Sequence, residues 1–283
     1  MNYIEKITLK AIAKIAGPDR MKRIISEAAE YAGLDMMEIT YNNIGILKYQ
    51  DATVSGERFL VTRILKKNLD GILHPIIFDV GANLGEYSNL LAKEFPKSTI
   101  YAFEPNPRTF SQLIEKSNNA IKCVNVGLGA EEKKGKIFTY ADNLTTTHAS
   151  IYREVFEVFN KRDDITEVDI QLTTLDLFCA QENISNIDFL KIDTEGHELD
   201  VLKGAAKMLS LGQIKIIQFE FGECDVFSRV FLRDIYTALE NYNIYRLDSQ
   251  RLIPLFKYNS TNEIFRFQNF VAVNKNFLFQ NAS

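Results

Sequence analysis

The spacing of apolar residues changes character near residue 70. Before that point, Ile4, Ile7, Ala11 and Ile15 recur at helical intervals until Gly17-Pro18 interrupts them. A second stretch places Met21, Ile24, Ile25, Ala28 and Tyr31 on one face of a helix that stops at Gly33. Lysines and arginines lie opposite, which reads as a helix packed on its own domain with a solvated basic face. A helix resting on a membrane surface is the alternative. The run Tyr41-Asn42-Asn43-Ile44-Gly45-Ile46-Leu47 predicts a short hairpin. From Gly56 to Leu69, with Phe59, Ile64 and Leu65 apolar and Ser55 as its cap, a further helix is predicted.

From Ile76 onward the pattern alternates strand and helix. Ile76–Val80 is a continuous apolar strand ended by Gly81, and the helix after it carries Tyr87, Leu90, Leu91 and Phe95 on one face. Thr99–Phe103 is the next strand. Asn106-Pro107 then opens a helix with Phe110, Leu113 and Ile114 inward. Ile121–Val126, Ile187–Ile192 and Ile214–Phe219 continue the strands, with helices over Leu199–Leu211 and through Phe231, Ile235 and Leu239, and short strands near Ile244–Leu247 and Phe270–Val273. Gly135–Tyr140 and Glu167–Leu172 read as extra strands around a polar segment. The expectation is an α/β fold, a doubly wound and mainly parallel sheet with helices on both faces. Residues 71–283 form that domain, and residues 1–70 an N-terminal helical extension.

Composition narrows the class without naming it. The 283 residues carry 33 Lys+Arg against 37 Asp+Glu, a net charge of −4, with 46% hydrophobic residues. These values are those of a folded globular chain, and the acidic balance argues against a nucleic-acid partner. No apolar run approaches the ~20 residues of a membrane span, and the start lacks the uninterrupted apolar core of a secretory signal. Three widely spaced cysteines, Cys123, Cys179 and Cys224, fit reduced thiols in a cytoplasmic protein.

The segment Phe78-Asp79-Val80-Gly81-Ala82-Asn83-Leu84-Gly85 carries the most chemical information. It sits where a strand ends and a helix begins, the place where open α/β sheets bind ligands. Glu104 ends the next strand, 19 residues after Gly85, where a carboxylate usually accepts hydrogen bonds from ribose hydroxyls. A dinucleotide site calls for a middle glycine where Asn83 stands, and Asp79 before the loop would repel pyrophosphate. The pattern suits a ligand with a sulfonium or ammonium and no phosphate, such as S-adenosylmethionine.

These residues, together with Ala102-Phe103-Glu104-Pro105, Thr173-Thr174-Leu175-Asp176 and above all Leu190-Lys191-Ile192-Asp193-Thr194-Glu195-Gly196-His197-Glu198, resemble the FkbM family of S-adenosylmethionine-dependent methyltransferases. The resemblance runs from about Ile76 to Asn274. It implies a Rossmann-like class I methyltransferase fold and O-methylation of hydroxyls on sugars, glycans or natural products. It also implies that Asp79, Gly81, Asn83 and Gly85 hold the methionine end of the cofactor, that Glu104 holds the ribose, and that Gly127 and Leu128 flank adenine. The acid usual near adenine is missing until Glu131.

Methyl transfer to an alcohol needs a group that takes the hydroxyl proton. Asp193, Glu195 and His197 stand together after the fourth strand of the alternating series and are the catalytic candidates, His197 as general base or as a helix-start histidine. His74, before Pro75, reads as a bystander. Asp142, His148 in the polar segment Asn143–His148, and Glu220 at the end of Ile216–Glu220 are candidates for the acceptor site. Asp193 and Glu220 also keep a Mg²⁺ reading open. Tyr140, Tyr152, Phe227 and Phe231 are candidates for its apolar wall. Rival functions are transfer to a nitrogen or macromolecular acceptor, and a non-catalytic cofactor fold that binds a partner through residues 1–70. The patterning leaves the oligomeric state open.

Overall fold

In the computed structural model, residues 14–140, 150–159, 161 and 164–281 are described. Of the helix expected over Ile4–Ile15, residues 14–16 are helical and the rest lies outside the described residues, as does the polar segment with Asp142 and His148. Helix α1 (Pro18–Tyr31) starts with proline in its first turn, where a missing N–H costs nothing. Its apolar face is not packed on the domain: Ile24 is 44% exposed, Ile25 45% and Tyr31 97%, and only Ala29 is buried.

The expected hairpin is instead a helix, α2 (Met36–Asn43). Asp35 caps it by accepting from the N–H groups of Met37 (2.8 Å) and Glu38 (3.1 Å), and this cap outweighs the turn tendency of Asn42-Asn43. The chain then attaches to the main domain. Ile46 bridges to Gln268, the Leu47 N–H donates to the Phe267 carbonyl (2.8 Å), and Arg251 donates to the Asn43 carbonyl (2.8 Å).

Helix α3 spans residues 57–69, with a π-helical middle at Leu60–Leu65. It opens at Gly56, whose φ of +90° and contact with the Asp248 carbonyl exclude a side chain. Leu60, Val61, Ile64 and Leu65 are fully buried in the cluster that also holds Ile77, Leu91, Ile100 and Phe189. The boundary expected at residue 70 is therefore no break in packing: α3 belongs to the core.

The main sheet contains β1 (Ile76–Val80), β2 (Thr99–Phe103), β3 (Ile121–Val124), β7 (Ile187–Ile192), β8 (Ile214–Phe221), β9 (Tyr242–Asp248), β10 (Arg251–Pro254) and β11 (Gln268–Asn274). Between β3 and β7 in the chain come β4 (Gly127–Leu128), β5 (Lys133–Tyr140) and β6 (Ile165–Thr173), which form a separate three-stranded sheet in the order β4-β6-β5. The main order is β10-β9-β11-β8-β7-β1-β2-β3, parallel from β8 through β3, with β11 antiparallel between β8 and β9. Both faces are covered, as the continuous apolar strands require. Along β1, β2 and β7, Phe78, Tyr101, Phe103 and Leu190 point into one core layer, while Ile77, Ile100, Ala102 and Phe189 point into the other.

Four connecting helices matter for the site: α4 (Glu86–Glu94), α5 (Pro107–Lys116), α6 (Leu175–Gln181) and α7 (Glu198–Gly204). Asn106 caps α5 through the Arg108 N–H. Leu113 is buried there as expected, but Ile114 is 54% exposed because it lies off the packed face. The single helix expected over Leu199–Leu211 is two, α7 and α8 (Ala206–Ser210). Gly204 touches the Gly129 carbonyl where any Cβ would overlap it, so α7 ends against β4.

Candidate active site

A cavity of about 580 Å³ opens at the carboxyl ends of β1, β2, β7 and β8, the crevice where doubly wound sheets bind ligands. Three strand ends are tied together there. The N–H groups of Gly81 and Ala82 donate to the Phe103 carbonyl (3.1 and 2.9 Å), and the Asp193 N–H donates to the Val80 carbonyl (3.0 Å). Gly81, at φ +82°, lies so close to the Asp193 carbonyl oxygen that a Cβ would overlap it. This glycine lets two strand ends meet.

On one side the cavity is lined by Gly81, Asn83, Glu104, Pro105, Gly127 and Leu128. Glu104 is 6% exposed and fixed at both oxygens: Oε1 accepts from the Asn106 N–H (2.9 Å) and Oε2 from the Asn83 N–H (3.1 Å). Burial raises its pKa to about 7, those two backbone donors pulling the other way. Each oxygen keeps a lone pair for a further donor, so the group fits a ligand with vicinal hydroxyls. Two expected cofactor residues are placed elsewhere. Gly85 faces α5, where a Cβ would come within 2.7 Å of Leu113 Cδ1; it makes room for a helix. Asp79 is fully buried beneath the cavity, accepting from Ser88 Oγ at 2.6 Å, because β1 turns it into the sheet.

Lys191 connects the floor to the opposite end. It is 5% exposed, with Nζ 2.9 Å from Asp193 Oδ2, 3.7 Å from Asp79 Oδ1 and 4.8 Å from the centre of the Tyr87 ring. Burial pulls the amine's pKa down, but Asp193, Asp79 and Glu57 more than offset it and hold the group charged. Burial pushes Asp79 upward, and Lys191 draws it back only in part.

Beside Lys191 the wall is formed by Glu57, Arg58, Tyr87, Asp193, Glu195 and Glu220. Glu57 accepts from Gln218 Nε2 (3.2 Å) and Ser55 Oγ (3.0 Å). Gln218 is itself held by Tyr87 Oη (2.5 Å) and Asn269. Burial raises Glu57, and it raises Glu220 well above the carboxylate range with Asp193, Glu195 and Glu198 adding to the effect.

The loop after β7 is pinned by Glu198, whose Oε1 accepts from the Thr194 N–H (2.7 Å) and hydroxyl (3.0 Å) and whose Oε2 accepts from the Gly196 N–H (3.0 Å). Glu195 takes φ +53° within this loop and accepts from Cys224 Sγ (3.2 Å). His197 is 7% exposed and lines the cavity, but its Nε2 faces Gly129, where a Cβ would come within 2.9 Å. Its Nδ1 is 3.4 Å from Asp200 Oδ2, and neither ring nitrogen hydrogen-bonds a described residue. Burial lowers its pKa, against the pull of Asp200.

Of the expected site residues, Gly81, Asn83, Glu104, Gly127, Leu128, Asp193, Glu195, His197 and Glu220 thus share one cavity. Asp142 and His148 lie outside the described residues. Tyr140 and Tyr152 pack with Phe156 and Phe227 in a separate cluster, and Phe231 packs edge-on against Phe265; none of the four expected aromatics lines the cavity. Among the described residues, no three His, Cys, Asp or Glu side chains converge as a metal-ligand set, so Asp193 and Glu220 do not by themselves complete a Mg²⁺ site. Sequence reasoning missed Glu57, Lys191 and Glu198 in these roles. Lys191 and Gln218 left a signal, as polar residues inside apolar strands; Glu57 left none.

Strand order 3-2-1-4-5-7-6, which β3, β2, β1, β7, β8, β11 and β9 reproduce, with a carboxylate ending the second strand beside a glycine loop, defines the Rossmann-like class I methyltransferases. Within that class the Methyltransferase FkbM domain profile matches residues 79–246, and the chain belongs to this family. Methyltransferase 1 of Beauveria bassiana is 30% identical over 45% of this chain and 57% of its own. The hexuronic acid methyltransferase AglP of Haloferax volcanii is 27% identical over 52% and 56%. The 2-O-methyltransferase NoeI of Sinorhizobium fredii is 21% identical over 60% and 73%. The chain thus spans a little over half the length of the first two of these relatives. No described helix is long and apolar enough to cross a membrane.

Proposed function

We propose that the chain is an S-adenosylmethionine-dependent O-methyltransferase acting on a hydroxyl of a sugar, glycan or natural product. The carrying observation is one cavity with two chemically different ends. Glu104 with its backbone donors fits a ribose, while Glu57, Asp193 and Glu220 gather around Lys191 at the other end. The cofactor supplies a methyl group already activated on a sulfonium. The loop at Gly81 and Asn83 holds its methionine end, Glu104 accepts from the ribose hydroxyls, and Gly127 and Leu128 flank adenine.

The chain's own work is to place the acceptor oxygen and take up its proton. Asp193, fixed by Lys191, orients the hydroxyl. Glu57, made more basic by burial and anchored at both oxygens, receives the proton. His197 and Glu195 act from the loop that Glu198 pins, shaping the wall. Similarity to AglP, a hexuronic acid methyltransferase, and to NoeI, a 2-O-methyltransferase, supports a carbohydrate acceptor.

The test is transfer of labelled methyl from S-adenosylmethionine to methyl glycosides of neutral sugars and hexuronic acids, with and without EDTA. Formation of a methyl ether on a sugar hydroxyl is the expected result. Labelling of amines or RNA but of no sugar would overturn the acceptor class, and loss of turnover with EDTA would restore the Mg²⁺ reading.

A further inference from the structure

Helix α1 presents an apolar face that stays exposed among the described residues. Ile24, Ile25 and Tyr31 lie on it, and further exposed apolar side chains follow at Leu34 and Met37. Only Ala29 of this helix is buried. Arg20 and Glu27 are seven residues, or two turns, apart, so both fall on one flank of the apolar face.

We propose that this face pairs with the same face of a second copy of the chain, the two α1 helices running antiparallel about a two-fold axis near Arg23 and Ile24. The charge order supports this occupant. In the antiparallel arrangement Arg20 of each copy meets Glu27 of the other, while Ile24 and Ile25 cover one another. In a parallel pair the same flank of each helix would fall on opposite sides of the seam, so Arg20 and Glu27 would not meet. A membrane fits less well, because α1 carries three acids (Asp19, Glu27, Glu30) against three bases (Arg20, Lys22, Arg23), and an anionic lipid surface attracts helices with a basic excess. The self-complementary pattern is what a two-fold interface demands. Two helices bury less than the roughly 800 Å² per partner of a tight complex, so a dissociation constant on the order of micromolar is expected.

The experiment is sedimentation velocity on the full chain over a range around micromolar concentration, reading the shift from 32.4 kDa monomer toward dimer. Ile24→Glu should abolish the dimer. Arg20→Glu and Glu27→Arg should each weaken it at least about tenfold, since each puts like charges together twice, and a mixture of the two variants should recover dimer as a heterodimer. Far-UV circular dichroism shows that the variants remain folded. Four results would overturn the proposal: a wild-type monomer throughout, dimerisation unaffected by Ile24→Glu, no recovery on mixing, or a monomer that binds phosphatidylserine vesicles.

Discussion

Replacing Lys191 by Met tests how the floor of the cavity is held. The substitution keeps the volume and the apolar stem but removes the one charge shared by Asp193 at 2.9 Å, Asp79 at 3.7 Å and, more distantly, Glu57. Asp79 is fully buried, with one oxygen that has no hydrogen bond, so it would face that loss without water. Breaking a buried pair by deleting one partner costs about 3–5 kcal/mol, a large share of the roughly 5–15 kcal/mol that folds a domain. For a chain of this size the melting point should fall by about 5–8 °C. The chain has no tryptophan, so urea unfolding is best followed by far-UV circular dichroism. Lys191→Met combined with Asp79→Asn should lose much less than the two single changes summed, because the second removes the charge stranded by the first. A Lys191→Met protein within about 1 kcal/mol of wild type, or strict additivity, would refute the shared-charge account.

Three more expectations follow from the same geometry. With Glu104 raised to about 7, and the ionised form accepting ribose hydroxyls, S-adenosylhomocysteine affinity should fall roughly tenfold from its plateau as pH drops to 6; calorimetry on Glu104→Gln should show a weak and pH-independent affinity. Glu57→Gln should lower kcat/KM for sugar methylation by roughly 10²–10⁴ while leaving cofactor affinity unchanged, whereas an unchanged kcat/KM removes Glu57 as the base. A chain beginning at residue 70 loses Leu60, Val61, Ile64 and Leu65 from the core, each worth about 1.5–3 kcal/mol; circular dichroism should show it unfolded, and a folded fragment would restore the boundary at residue 70.

What was legible in the sequence follows from local physics. The buried parallel strands are continuous apolar runs, so β1, β2, β7 and β8 could be placed to within a residue or two. The cavity position of Gly81, Asn83 and Glu104 was legible because the glycine loop and the next strand's end are short, local patterns. The direction of Asp79 was not, since whether a strand-end carboxylate faces ligand or sheet depends on Lys191, over a hundred residues away. The hairpin at Tyr41–Leu47 failed because Asp35, six residues earlier, supplies a helix cap. Glu57 was invisible for a similar reason: Gln218 and Tyr87 position it, and nothing near it in the chain marks it as part of a site.

The proposed activity requires the cavity at β1, β2 and β7 to hold S-adenosylmethionine. The most direct test is calorimetric titration of the full chain with S-adenosylhomocysteine, with NADH as control, repeated on Glu104→Ala. Binding of S-adenosylhomocysteine alone, weakened roughly 10- to 150-fold by the loss of one charge-assisted contact, is the predicted result. Binding of NADH in preference, or an affinity untouched by Glu104→Ala, would contradict it.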